Sequence, residues 1–348
     1  MLDANQPIAI FAEATMGLLN AKMAEGILRY GRNPAVAVID STKAGKTVGD
    51  VCRLQSDVPI VATLEEAIAL GAQVLVLGTA PSGGRVPGEW MDILHRAVGA
   101  GLSIVNGMHD ELAPTLGRDL AEGQWIWDIR MAQGILPDIA MGRAAALPNA
   151  RILMVGTDMA VGKMTAGLEI HRSLCEAGAD AAFLASGQTG IAIMGTGIPL
   201  DAFRVDHAAG AVERMVLGAA DHDYVIVEGQ GSLLHPGSTA TLPLMRGSCC
   251  TGMILCHRAG MKALDTLDNV RVPPLRDVIG LNEMTAAANG TLTAAKVLGI
   301  ALNTSHLSED AAKAAIEETM AETGLPVSDP VRFGAAPLAD AIMAFHTK

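Results

Sequence analysis

The chain has 348 residues, of which 50% are hydrophobic and 18% charged, and its formal net charge is −12. This length predicts two domains, because a single hydrophobic core rarely extends beyond about 250–300 residues. The acidic balance argues against a nucleic-acid partner, since phosphate backbones are bound by clustered Lys and Arg. Five cysteines without zinc-type spacing, no signal-peptide pattern and no apolar run of about 18 residues predict a soluble cytoplasmic protein that binds no membrane.

Strands and helices alternate through the first 148 residues. Apolar runs predict strands at residues 7–12, 35–40, 73–78 and 102–106. Helical spacing predicts helices at residues 18–30, 64–70 and 88–100. Continuous apolar strands separated by helices are typical of a parallel sheet with helices on both faces, so residues 1–148 are predicted to form one α/β domain. No G-x-G-x-x-G follows the first strand, which disfavours a dinucleotide site there.

Polar and glycine-rich loops follow the strands of this first half, at Glu13, 40–43, 79–85 and 107–110. Ligands of parallel α/β sheets bind at the carboxyl ends of the strands. Arg85 is therefore a candidate partner for a substrate carboxylate, and a solvated arginine on a surface loop is the alternative.

Pro148-Asn149 is the predicted boundary, because proline discourages helix continuation, and residues 119–147 are expected to connect the two halves. The second domain, residues 149–348, is again predicted to be α/β. Its strands are expected at residues 151–155, 181–185, 224–227, 251–256 and 297–303, with a late helix at 309–322. Each strand ends in polar or glycine-rich residues, which is typical of an active-site rim.

The segment 156–165 resembles a phosphate-binding loop, since a strand precedes it and helical spacing follows. Backbone amides, the positive end of a helix and a lysine favour binding of an anion there. The candidate cofactor-binding residues are Thr157, Asp158, Ala160, Val161, Gly162, Lys163, Met164 and Thr165.

This loop departs from the frame G-x-x-x-x-G-K-[ST]. Thr157 occupies the position of the first glycine in this frame. Met164 occupies the position of the Ser or Thr whose hydroxyl normally binds Mg²⁺. A thioether is a poor ligand for a hard cation, and Thr165 lies about 100° further round a helix. The sequence thus predicts phosphate binding and no metal site.

Three strand ends of the second half carry further candidates. Glu228, in Glu-Gly-Gln-Gly-Ser, and His235 are candidate general bases, and Lys163 is counted with them as a catalytic candidate. The alternatives are a strand-terminating turn with Glu228 paired to Lys163, and a solvated loop histidine. Candidate substrate-binding residues are Gln188, Thr189, Gln230, Ser232 and Arg258, besides Arg85. For Gln188 and Thr189 a capped turn is an equal alternative.

The loop Val155–Thr165 resembles that of dethiobiotin synthetase and related ATP-dependent enzymes. With residues 104–110, Gly187-Gln-Thr-Gly190 and 228–236, nearly the whole chain resembles the family labelled DUF1611. The resemblance implies a Rossmann-like N-terminal domain and a P-loop C-terminal domain. It also implies D-glutamate N-acetyltransferase activity with acetyl-coenzyme A as donor, since one characterised branch of the family has it.

The leading hypothesis is therefore an enzyme that transfers an acetyl group to the amine of a small acidic amino acid. The protein is expected to form a homo-oligomer and to bind only small molecules. Acetyl-coenzyme A would explain Met164, because its phosphates can bind without catalytic Mg²⁺. Backbone amides at 187–190 or 229–231 would stabilise the oxyanion. The alternatives are an amide-forming ligase that uses ATP and Mg²⁺, and a nucleotide-binding module without chemistry.

Overall fold

The computed structural model describes residues 2–52, 54–79, 81, 83–132 and 137–346. The chain divides into two compact units: residues 1–133 with 188–202 form unit 1, and residues 134–187 with 203–348 form unit 2. The cut predicted at Pro148-Asn149 stays a prediction. No pattern in the sequence indicates that residues 188–202 belong with the first half of the chain.

Unit 1 contains one six-stranded parallel sheet. Its strands are β1 Ile8–Phe11, β2 Ala35–Ile39, β3 Ile60–Val61, β4 Val74–Leu77, β5 Ser103–Asn106 and β6 Ile126–Asp128. Their order is β3-β2-β1-β4-β5-β6, and each neighbouring pair is parallel. The four strands predicted in this half are all present, and the parallel α/β class is confirmed.

Among the described residues, five helices of unit 1 lie between these strands in the chain, and a sixth, α7, comes from the separate segment 188–202. They are α1 Lys22–Tyr30, α2 Val48–Val51, α3 Leu64–Ala69, α4 Met91–Gly99, α5 Ala113–Leu116 and α7 Gln188–Met194. The first helix was predicted from Leu18, but the α-helix begins at Lys22. The chain is still turning before it, since Met16 N donates to Asp40 Oδ2 (3.1 Å) and Gly17 has φ of 83°.

The core of unit 1 is built from the strands and the apolar faces of α3 and α4. Leu75, Leu94 and Ile104 are completely buried in it. Phe11 and Trp90 pack edge to face, with ring centroids 5.0 Å apart. Two of the few aromatic residues of the chain thus pack together in unit 1.

Unit 2 contains a second six-stranded parallel sheet and a small antiparallel hairpin. The sheet strands are β7 Ala150–Gly156, β8 Ala181–Leu184, β9 Tyr224–Val227, β10 Gly252–Arg258, β13 Lys296–Asn303 and β14 Val327–Ser328, in the order β14-β13-β10-β7-β9-β8. The hairpin pairs β11 Ala263–Leu264 with β12 Leu267–Arg271. The five strands predicted for this half are present, and the fully buried β7 lies between β9 and β10.

The helices of unit 2 pack on this sheet. They are α6 Lys163–Glu176, α8 Val205–Leu217, α9 Thr241–Ser248, α10 Leu275–Ala286, α11 Glu309–Thr323 and α12 Ala336–His346. The late helix predicted at 309–322 is α11, which Ser308 caps by accepting a hydrogen bond from Ala311 N. In the described part of the chain, no helix combines the length and apolarity that crossing a membrane requires.

Candidate active site

The candidate site of unit 2 is the edge of its sheet where the parallel strands end. Strands β7, β9 and β10 are neighbours there, with β7 in the middle. Their carboxyl ends carry the phosphate loop, Glu228 and His257, respectively. The register of the sheet therefore brings together groups that are up to a hundred residues apart in the chain.

The phosphate loop links β7 directly to α6. Gly162 caps the helix in the left-handed region, with φ of 101°, and Lys163 is the first helical residue. At Gly156, where the strand ends, an added Cβ would lie 2.9 Å from Val161 Cγ2 and 3.1 Å from Lys163 Nζ. Both glycines thus allow the chain to close tightly around the lysine, as the sequence predicts for a phosphate loop.

Lys163 lies inside its own loop and is only 4% exposed. Its Nζ donates to the carbonyl oxygens of Asp158 (2.7 Å) and Met159 (2.9 Å). Burial lowers its pKa to about 8, against the opposing influence of Cys256, Asp158 and Glu228. An anion that accepts from Nζ would stabilise the charged form of the amine, so the loop is suited to a phosphate.

Glu228 is buried at the end of β9. Its Oε2 accepts hydrogen bonds from Ser186 N (2.8 Å) and Gly187 N (3.1 Å), and Gln230 Nε2 lies 3.4 Å from Oε1. Burial nevertheless raises the pKa of Glu228 to about 7, although these two amides and the charge of Lys163 lower it. A carboxyl group that titrates near neutrality is suited to exchange a proton with a substrate.

Gly229 brings this carboxylate close to the phosphate loop. A Cβ at this position would lie 1.6 Å from the carbonyl oxygen of Met154 and 3.0 Å from Lys163 Cδ. The turn after β9 therefore packs directly against β7 and the stem of the lysine. This contact supports the prediction that Lys163 and Glu228 face the same site.

His257 is a buried polar residue that the sequence analysis did not single out as a candidate. Its Nδ1 lies 3.0 Å from Thr157 Oγ1, and burial together with Arg258 lowers its pKa to about 4. The imidazole is therefore neutral at ordinary pH and holds the first residue of the phosphate loop. In the sequence, the only sign of this role is that a histidine stands at the end of a strand. That position alone does not distinguish a histidine that holds the phosphate loop from one that only packs in the core.

His235 and Ser232 lie in the loop after β9 and make local contacts. Gly237 N donates to His235 Nδ1 (3.0 Å), so the proton of the neutral ring is on Nε2, which lies 3.4 Å from Thr266 Oγ1. Ser232 Oγ accepts from Leu234 N (3.1 Å). The ring lone pair of His235 is thus already engaged by the amide of Gly237, and its role as a general base stays a prediction.

Asp158 and Thr165 of the phosphate loop make contacts with other parts of unit 2. Asp158 Oδ2 accepts from Asp265 N (2.8 Å), so the hairpin turn contacts the phosphate loop. Thr165 lines a cavity with Asn303 and Arg332, to which Val161 and Gly162 of the phosphate loop also contribute.

Both candidate carboxylate-binding arginines are engaged in ion pairs. Arg258 forms a two-contact pair with Asp265, one of them 2.7 Å long, while Arg85 Nε and Nη2 lie 3.1 and 3.0 Å from Asp110 in unit 1. A substrate carboxylate would have to compete with these partners. Ala80 and Ser82, in the loop predicted around Arg85, lie outside the described residues.

Gln188 and Thr189 were predicted to lie in a polar loop after β8. In the structure they are the first two residues of α7, which belongs to unit 1. The amide of Gly187 is likewise used by Glu228, so it does not remain free for an oxyanion. Their roles in substrate binding stay a prediction.

The fold and the loop around Lys163 define a two-unit α/β protein with a P-loop. Residues 138–339 match the domain of unknown function DUF1611_C, described as a P-loop domain, and residues 41–132 match DUF1611_N, described as a Rossmann-like domain. The chain belongs to the DUF1611 family. The family and the two domain types predicted from the sequence are thereby confirmed.

Similar proteins cover almost the whole chain. A protein named D-glutamate N-acetyltransferase from Tritonibacter scottomollicae is 36% identical over 345 residues, which are 97% of this chain and 98% of that protein. One of the same name from a Pseudoalteromonas species is 34% identical and covers 77% of this chain and 81% of that protein. The crystal structure of a DUF1611 family protein from Anabaena variabilis is 48% identical, with a TM-score of 0.94, and covers 98% of this chain and 100% of that one.

Proposed function

We propose that this protein is an N-acetyltransferase that acts on the amine of D-glutamate, with acetyl-coenzyme A as the acetyl donor. Two relatives that carry the name D-glutamate N-acetyltransferase are 36% and 34% identical to the chain. The observation in the molecule that carries the proposal is the position of Glu228, which is buried next to the phosphate loop. Its pKa is raised to about 7.

The donor would bind through its phosphates. Lys163 Nζ would exchange the carbonyl oxygens of Asp158 and Met159 for phosphate oxygens, and the amides at the start of α6 would donate to the same group. Met164 stands where a Mg²⁺-binding hydroxyl is usual. A pyrophosphate that is only held, and not cleaved, does not require that ligand.

Glu228 would act as the general base. Its carboxylate removes a proton from the substrate ammonium, which frees the nitrogen lone pair to attack the thioester carbonyl. The new C–N bond forms, the C–S bond breaks, and the thiolate of coenzyme A leaves and takes up a proton. Gln230 is positioned beside Glu228 and is available to orient the acceptor.

A thiol-release assay tests this function directly. The protein is mixed with acetyl-coenzyme A and either D- or L-glutamate, and free thiol is followed with time. We expect release with D-glutamate, and formation of N-acetylglutamate in equal amount. Absence of thiol release with every acidic amino acid tried would contradict the proposal.

A further inference from the structure

A second cavity in unit 2 lies beside the phosphate loop and below the β11–β12 hairpin. Its volume is about 400 Å³, within the range of about 300–1,000 Å³ that is usual for small-molecule sites. Buried His257 lines it from β10, and the hairpin, the start of α10 and α11 supply the remaining walls. None of the residues proposed above as base or phosphate ligand lines this cavity.

The charged groups of the cavity have both signs. Lys262 and Arg271 come from the base of the hairpin, where Val272 N donates to Lys262 O (2.9 Å), and Glu318 and Glu322 come from α11. Glu322 Oε1 already accepts from Leu275 N (2.7 Å). Within the described ranges of the chain, no ion pair is formed by Lys262, Arg271 or Glu318.

Two cations and two carboxylates without ion-pair partners among the described residues therefore line one small cavity. Glu322 is engaged by the amide of Leu275, whereas Lys262, Arg271 and Glu318 are exposed side chains. A phosphate or a simple dicarboxylate would satisfy the cations but would also meet the negative charge of Glu318. An amino acid with two carboxylates and one ammonium complements all three groups, because each charge finds an opposite partner.

We propose that this cavity binds an acidic amino acid, with Lys262 and Arg271 pairing with its carboxylates and Glu318 accepting from its ammonium. The bond between His257 and Thr157 connects the cavity to the phosphate loop. The bound molecule is either the acetyl acceptor, which rests on the acetyltransferase function proposed above but would require a base other than Glu228, or a second molecule that acts as an effector. Strands β9 and β10 lie on opposite sides of β7, so Glu228 and His257 are about two strand spacings, or about 10 Å, apart along the sheet.

Calorimetry without acetyl-coenzyme A tests the site independently of turnover. D-glutamate is titrated into the whole protein and into the variants Arg271→Gln, Lys262→Gln and Glu318→Gln. Each variant should bind about tenfold more weakly at this site, which corresponds to about 1.4 kcal/mol. Lys313→Gln is the matched control, because Lys313 lies on α11 but pairs with Glu309 and does not line the cavity.

Two analogues assign the individual groups. Glutarate lacks the ammonium, so wild type should prefer D-glutamate to glutarate, and Glu318→Gln should lose that preference. D-norvaline lacks the side-chain carboxylate, so one of the two cation variants should lose the preference for D-glutamate over D-norvaline. A melting curve for each variant checks that it is folded.

Initial rates then distinguish the two sources of the ligand. A raised KM for D-glutamate in Arg271→Gln, with the KM for acetyl-coenzyme A unchanged, identifies the acceptor site. An unchanged KM, together with the loss of one of two bound D-glutamate molecules, identifies an effector site. Unchanged affinity and stoichiometry in all three folded variants would overturn the proposal, whether or not the protein transfers acetyl groups.

Discussion

The two six-stranded parallel sheets of this protein have similar layouts but use buried carboxylates differently. In each sheet the first strand of the unit is central, with later strands on both sides. In unit 1, Asp40 is fully buried, and its Oδ2 lies 3.3 Å from Lys43 Nζ. Burial raises the pKa of Asp40, but hydrogen bonds from Thr42 and Met16 and the charge of Lys43 outweigh it, so the pKa lies below its ordinary value.

Asp128 of unit 1 is likewise committed to structure. Its oxygens accept from Leu112 N (3.0 and 3.1 Å), Ala113 N (2.9 Å) and Asn106 Nδ2 (2.8 Å), at the start of α5. Glu228 of unit 2 also accepts from two amides, but its pKa is raised to about 7, and no cation within the described part of the chain forms a salt bridge with it. The two sheets have similar parallel layouts, so the raised pKa of Glu228, rather than the sheet itself, distinguishes the candidate active edge of unit 2.

The largest effect on ligand affinity is expected from Lys163→Ala, compared with Lys43→Ala in unit 1. Loss of a buried charge-assisted hydrogen bond to phosphate should weaken coenzyme A binding by about 2–3 kcal/mol, or roughly 30- to 150-fold. Lys43 lies at the edge of the other sheet, so its replacement should leave coenzyme A affinity within about twofold. Calorimetry with coenzyme A measures both, and equal affinity of Lys163→Ala and wild type would remove the basis of phosphate binding.

The next effect concerns Glu228→Gln, compared with Asp40→Asn. As the base acts only when deprotonated, the wild-type rate should rise with pH up to about 7 and then level off. Glu228→Gln should lose about a hundredfold or more in kcat and also lose this rise. Asp40→Asn should lower the melting temperature with the pH profile of kcat intact.

The same shift makes stability depend on pH. The folded state binds the Glu228 proton more tightly than the unfolded state, so stability should fall as the pH rises from 4.5 to about 7. Melting temperatures measured across this pH range should show this fall for wild type, and the part of it due to Glu228 should be absent in Glu228→Gln. A rate profile that Glu228→Gln leaves unchanged in shape would assign the proton transfer to another group.

The smallest effect is expected from Met164→Thr, which restores the hydroxyl of the common P-loop frame. Since phosphate binding is proposed to need no metal, the KM for acetyl-coenzyme A should change by less than about twofold. Melting temperatures with acetyl-coenzyme A and with Mg-ATP check the ligand, because a ligand stabilises only the state that it binds. Stabilisation of wild type by Mg-ATP but not by acetyl-coenzyme A would favour the ligase alternative.

The sequence predicts the strands well because they are continuous apolar runs. The two-residue strands Ile60–Val61 and Val327–Ser328 are too short to show any periodicity, and they were missed. The phosphate loop and Glu228 were predictable since each directly follows a buried strand. The tautomer of His235 depends on the amide of Gly237, and the start of a helix at Gln188 depends on packing in unit 1, so neither follows from local sequence.

The position of residues 188–202 has a consequence for how the protein can be divided. The chain leaves unit 2 directly after Gly187, whose amide holds Glu228, and returns to it at Phe203. A truncation at any one peptide bond therefore removes part of one folded body or leaves a stray apolar helix, with Ile191 and Ile193 exposed, on the other. The two units are therefore joined by three covalent connections rather than by a single linker, and neither can be prepared as one uninterrupted segment of the chain.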